Sequence, residues 1–210
     1  MSIKTSGTAT PQEKFAAGEL CSYLERMTST AFDQCGEDYT GPAIAVGSAA
    51  QAYGVQSPDG DDAFTLKTVG ESLCITGGKR GVIYGVYELL ERLGCRFFTA
   101  TCEKVPYATE LVLDYLDETQ CPDFIYREHA YYEHRRYTRF ALKSRLNGAN
   151  HPIRDEWGGH IKYSWFVHSF ERIISPKEYG ETHPEYFAMD ENGVRVLTPE
   201  KNQLCLSNPE

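Results

Sequence analysis

The sequence predicts an α/β fold in which a mixed sheet carries two helices and leads into a second, less regular domain. Three observations predict it. Two segments repeat apolar residues at helical spacing, several short apolar runs end in Gly, and a polar stretch closing on Pro, residues 116–122, divides the chain.

The elements follow in order. Ile3 to Thr5 is a short first strand. Thr10 suits an N-cap, Pro11 suits the first helical position, and Glu13 places negative charge in the first turn. Ala16, Leu20, Leu24 and Met27 then recur on one face, so a helix is expected from Pro11 to Thr28. Ala43 to Gly47 reads as a buried strand, and residues 54–62 as turn-rich loop. Ala63 to Val69 and Ser72 to Thr76 flank Gly70-Glu71 as a hairpin. A second helix spans Arg80 to Leu93, with Gly94 closing it and Gly81 and Gly85 permitting close backbone approach. Cys95 to Thr99 and Glu110 to Tyr115 are two further strands, and both helices are expected on one sheet face.

The second part opens with a strand, Phe124 to His129, and a helix, Tyr137 to Leu146. Residues 149–165 are polar and irregular, and Pro176 to His183 is a short helix. Tyr186 to Met189 and Val194 to Leu197 form a hairpin about Asp190–Gly193, and Gln203 to Ser207 is a strand. Strand, helix, excursion and strand fit the opening of a (β/α)₈ barrel with long rim loops. The expected domains are 1–117 and 122–210. At 210 residues the chain is too short for an accessory domain plus a whole barrel of roughly 250 residues, so a truncated TIM-type barrel is expected.

Composition narrows the function classes. Net charge is −9, which argues against nucleic acid, since phosphate recognition needs clustered Lys and Arg. No run approaches the roughly 20 apolar residues of a membrane span, and MSIKTSG lacks the apolar core of a secretory leader. Seven cysteines, an odd number without a C-x-x-C pair, read as free thiols and favour a reducing, cytoplasmic setting. The 14 Tyr and 10 Phe supply rings suited to stacking on sugar faces. His129 and His134 do not match zinc-ligand spacing, and GGKRG lacks the phosphate-loop pattern, so no metal and no cofactor is expected.

The stretch RGVIYGVYELLERLGCRFFTATCEKVP, Arg80 to Pro106, resembles a segment of glycoside hydrolase family 67 α-glucuronidases and of the N-terminal domains of hexosaminidase-like enzymes. EKFAAGELCSYLERMT is similar to the first helix of that same accessory domain. WFVHSFERIISPKEYGETHPEYFAM and QLCLSNPE resemble a bacterial family of glycosidase-like proteins. The resemblance implies a hydrolase that acts on a polysaccharide or glycan, with the rest of its own barrel as partner. In such enzymes the accessory domain performs no chemistry, and the acid/base carboxylates lie on later barrel strands, here expected after Glu210.

The fragment would then supply substrate contacts. Arg127, in PDFIYRE, resembles the arginine of a P-x-F-x-x-R element of hexosaminidase-like enzymes that bonds sugar hydroxyls there, and its fork also suits a uronate carboxylate. His168 stands in the VHSF motif, and His160 lies in a polar loop after two glycines. Asn147 and Asn208 follow a helix and a strand where barrel loops face ligands, although Asn is also an ordinary turn residue. Glu128, Glu133, Asp155 and Glu156 read as solvated acids, and His183 as a helix-end turn. The alternatives are a non-catalytic carbohydrate-binding or scaffold protein and a standalone interaction domain.

Overall fold

A computed structural model describes residues 2–165, 169–198 and 202–209. They gather into two compact units, Met1–Ile161 and Lys162–Glu210.

The first unit opens with β1 (Ser2–Lys4) and α1 (Pro11–Thr28). Thr10 and Glu13 form a reciprocal capping box: the Glu13 N–H donates to Thr10 Oγ1 at 3.2 Å, and the Thr10 N–H donates to Glu13 Oε2 at 2.8 Å. β2 (Gln34–Cys35) and β3 (Ala43–Val46) follow, then a 3₁₀ turn over Gly47–Tyr53. β4 (Phe64–Val69) and β5 (Ser72–Gly77) make the expected hairpin, and α2 covers Gly81–Arg92. β6 (Arg96–Phe97) and β7 (Glu103–Lys104) form a separate antiparallel ribbon, and β8 (Asp117–Gln120) rejoins the main sheet.

The main sheet runs β2-β1-β3-β5-β4-β8. Pairing is parallel from β2 through β5, and antiparallel for β5 with β4 and β4 with β8. The α/β class is therefore as the sequence predicts. Alternation sorts the two faces. Ile44, Val46, Leu73 and Ile75 point into one core with Leu20, Leu24 and Met27 of α1 and Val82, Val86 and Leu90 of α2. Ala45 and Cys74 point the other way, against Ala49, Ala50 and Val55. Large side chains thus meet the helices, and small ones let the 3₁₀ turn lie close. α2 approaches the β4 entry closely: a Cβ on Gly81 would collide with the Ala63 carbonyl.

Two strand expectations and the linker expectation between them fail in instructive ways. Glu110–Tyr115 joins no ladder, although Leu111 and Leu113 pack on the core. The strand is β8, inside the polar stretch read as a linker. Its ladder with β4 is reinforced by a Thr65–Thr119 hydroxyl bond of 2.8 Å and a Lys67–Asp117 ion pair of 2.9 Å. An edge strand needs no apolar face to pair. Phe124–His129 is also not a strand; side chains rather than a ladder fix its path, as described below.

Beyond β8, α3 (Tyr132–Arg136) and α4 (Thr138–Lys143) replace the single helix expected over 137–146. Arg145 turns left-handed at φ 58° and ends the helical stretch early. A 3₁₀ turn, Asp155–Trp157, lies in the irregular loop.

The second unit contains α5 (Phe170–Ile173), α6 (Pro176–Tyr179) and a 3₁₀ turn at Pro184–Tyr186. The helix expected to reach His183 stops at Tyr179. The hairpin is reduced to one Met189–Arg195 bridge, with Asp190 Oδ1 accepting from the Asn192 and Val194 N–H groups at 2.9 Å. In place of the Gln203–Ser207 strand there is one Phe187–Leu204 bridge.

Candidate functional site

Within the first unit, the segment after β8 is anchored by one carboxylate. Asp62 lies in the loop that precedes β4, and Arg80 caps the start of α2. The main chain brings them together: the Arg80 and Gly81 N–H groups donate to the Asp61 carbonyl at 2.7 and 2.9 Å. Asp62 Oδ1 then accepts from Arg80 Nε, and Oδ2 accepts from Arg127 Nη2 at 2.7 Å and Asn147 Nδ2 at 2.6 Å. Arg80 Nη1 donates to the Gly158 carbonyl at 3.1 Å. Arg80, Asp62 and Asn147 are buried.

Arg127 is engaged on all sides. Nε donates to the Arg145 carbonyl at 2.8 Å, Nη1 to the Phe124 carbonyl at 2.7 Å, and its main-chain N–H to Asn147 Oδ1 at 2.8 Å. Asn147 also donates to the Ile125 carbonyl at 2.9 Å. These bonds fix the path of residues 124–127 without a neighbouring strand. A cleft of about 270 Å³ opens beside the cluster, walled by Pro122, Phe124, Ile125 and Ile161.

One residue further, Glu128 pins the next wall. Its Oε2 accepts from the Tyr126 hydroxyl at 2.7 Å and the Asn150 N–H at 2.6 Å, and Oε1 accepts from Asn150 Nδ2 at 2.8 Å. Burial works against its charge, but the Asn150 and Tyr126 bonds outweigh burial and hold its pKa below the usual value. Gly148 is required here, because a Cβ would sit 2.5 Å from that of Glu128. Beyond this wall lies an open cleft of about 510 Å³, lined by Tyr132, Arg135, Arg136, Ala149, Asn150 and Pro152.

Three histidines gather in the same segment. The ring centroids of His129 and His134 are 4.4 Å apart, and those of His129 and His151 are 5.4 Å apart. His134 stacks on Phe140 at 4.2 Å, and its Nε2 bonds Ser144 Oγ at 3.0 Å. His134 Nδ1 and both ring nitrogens of His151 are buried without a hydrogen bond of normal geometry. Burial, with the neighbouring imidazoles, lowers the His134 pKa. Burial also lowers that of His151, against an opposing pull from the His134 main chain. Among the described residues no group of His, Cys, Asp or Glu is placed to hold a metal ion.

The sequence-derived candidates thus fall in different places. Arg127 and Asn147 meet at Asp62, with their polar atoms turned to protein partners. His160 is half-buried, its Nδ1 3.2 Å from the Ile153 carbonyl. Asn208 is half-buried in the second unit, where its N–H donates to the Cys205 carbonyl at 3.0 Å. His168 lies outside the described residues. Sequence reasoning missed Asp62, hidden in a turn-rich stretch, and His151, far along the chain from His129 and His134. Glu128 reads as a solvated acid in sequence and is instead bonded to Tyr126 and Asn150. All seven cysteines are free, and no described helix is long and apolar enough to cross a membrane.

The fold has solved counterparts. A family GH115 4-O-methyl-α-glucuronidase, BtGH115A, with specificity for decorated arabinogalactans, superposes with a TM-score of 0.59 over 82% of this chain at 16% identity. The chain spans 30% of that protein's length. A GH138 enzyme targeting pectin rhamnogalacturonan II gives a TM-score of 0.47 at 16% identity, over 70% of this chain and 18% of that one. The GH20 β-N-acetylhexosaminidase of Streptomyces coelicolor A3(2) gives 0.45 at 18% identity, over 70% of this chain and 29% of that one. The likeness to the GH115 protein shows a fold also found within a glycoside hydrolase. No curated protein matches the chain in sequence. A family model described as "Domain of unknown function (DUF4838)" matches residues 97–210, more than half of the chain.

Proposed function

The chain belongs to the DUF4838 family, and from that premise we propose that it is the leading part of a glycoside-hydrolase-like protein that binds a glycan along residues 126–152. The observation that carries the reading is the open cleft of Tyr132, Arg135, Arg136 and Asn150. It offers an exposed ring, two guanidinium forks and an amide whose orientation Glu128 fixes, which is the donor set a sugar's hydroxyls and apolar face call for.

In this reading residues 122–210 open a (β/α)₈ barrel, and residues 1–117 are its accessory domain. The superposition on the GH115 protein covers 82% of this chain, more than residues 1–121 can supply, so the likeness in fold runs on past the first part. Phe124 and Ile125, 74% and 83% exposed, are surface that neighbouring barrel elements would cover.

Arg127 and Asn147 act as positioning residues. They hold the wall through Asp62 and leave the sugar contacts to Tyr132, Arg135, Arg136 and Asn150. The buried or bonded carboxylates do not suit acid catalysis. A general acid needs a raised pKa, whereas Glu128 is lowered and Glu103 is held down to about 2. The chain's share is binding, and the acid/base pair is assigned to the remainder of the longer protein.

A hydrolysis and binding screen of the full-length protein against a glycan library tests this. A bound or cleaved glycan is expected, with Tyr132→Ala weakening binding by at least about 1 kcal/mol, as for a contact-dominating aromatic. A library-wide blank removes the carbohydrate reading. Binding without cleavage selects the non-catalytic alternative.

A further inference from the structure

Resting on the glycan reading, the charge layout around α3 says which kind of glycan fits. Arg135 and Arg136 are adjacent, exposed, and form no ion pair among the described residues. Arg136 walls two clefts at once. One is the 510 Å³ cleft with Tyr132 and Asn150. The other, about 580 Å³, lies between α1 and α4 and is lined by Tyr23, Arg26, Tyr137, Arg139, Lys143 and Trp157 among others. Both volumes lie within the roughly 300–1,000 Å³ usual for ligand sites.

Two of the acids facing this region, Glu103 and Glu19, form ion pairs with its cations. Glu103 accepts from Tyr23 at 2.7 Å, Arg26 at 2.7 Å and Lys143 at 2.9 Å. Glu19 accepts from Arg139 and, at 2.6 Å, from Tyr87. Glu133 accepts from the Ala100 N–H at 3.3 Å, and Glu128 is bonded to Tyr126 and Asn150. Of the cations that line the two clefts, Arg135 and Arg136 are therefore the two that no carboxylate pairs with among the described residues, since Glu133 and Glu128 are bonded to neutral donors instead.

We propose that the ligand is an acidic glycan running through both clefts, with an anionic group on Arg136 at their junction and a second on Arg135. Paired N–H groups of a guanidinium match the oxygens of a carboxylate or a sulfate ester. Tyr132 in the outer cleft and Tyr137 in the inner one, both exposed, offer rings to the intervening sugars. A neutral glycan would leave both guanidiniums without a counter-charge.

The test measures binding of the full-length protein to polygalacturonate and polyglucuronate oligomers, each with its carboxyl-reduced neutral form, and to a sulfated galactan with its desulfated form. At least tenfold tighter binding of one acidic member over its neutral partner is expected, weakening as salt rises. Arg136→Gln should remove at least tenfold of that preference, and Lys14→Gln, an exposed charge on α1, should leave it unchanged. Preference for uronates identifies carboxylate as the anion, and preference for the galactan identifies sulfate. Equal binding of acidic and neutral forms, unaffected by Arg136→Gln, overturns the acidic assignment and keeps the glycan reading. No binding of any member, together with a blank library, overturns both.

Discussion

Residues 2–120 and residues 121–161 are held together by different physics. In the first stretch, ladders and two apolar cores fix the chain, and polar side chains mostly decorate it. In the second, among the described residues there is no strand, and polar side chains set the path: Arg127, Asn147 and Glu128 bond main-chain groups that a ladder would otherwise satisfy. Where side chains do structural work, their neighbours are left exposed and oriented. That is where the clefts, the uncompensated arginines and the histidines are found.

The comparison breaks first at Asp62. Asp62→Ala leaves Arg80 and Arg127 without their shared counter-charge in a buried setting, and is expected to cost about 3–5 kcal/mol in chemical denaturation. Amide exchange should quicken in 121–161 before it does in β3 and β5. Uniform quickening across both stretches would dissolve the distinction between them.

A smaller effect separates the stretches by pH. His134 and His151 have folded pKa values below 6.5, so the unfolded chain takes up protons first as pH falls. Their contribution is fully present above about pH 6.5 and is lost as pH drops from there through the lowered folded values. Glu103 and Glu128 act in a later window: their stabilisation is present above about pH 4.5 and fades below it, towards about pH 2 for Glu103. Thermal melts across pH should show an early loss that His151→Phe reduces. A profile flat between pH 7 and 5 would show that the histidines titrate normally.

The smallest effect tests the ladder-held stretch alone. Thr10→Ala removes one half of the capping box and should cost about 1 kcal/mol, with exchange in 121–161 unchanged.

Much of the first stretch was legible in the sequence because its periods are strong. α1 carried its cap and stripe, β3 its apolar run, β4 and β5 their turn, and α2 its face. β8 was not legible, because DETQ at a sheet edge alternates polar with polar and resembles a linker. The second stretch was legible only in part. Arg127 and Asn147 stood out one at a time, but their meeting depends on Asp62 at a distance of 65 and 85 residues. Local pattern carries no trace of such a pairing. The same holds for His151 joining His129 and His134, and for Asn150 fixing Glu128.

The shared carboxylate has a consequence for anyone recombining such proteins. Asp62 is a lock that takes two keys, Arg127 and Asn147, both carried by the stretch beyond residue 120. Importing residues 121–161 from a cousin succeeds only if the graft brings a guanidinium and an amide to the same two places. Exchanging the lobe that carries Asp62 alone strands both keys, so chimera boundaries near residue 120 should be screened for that trio before any other feature.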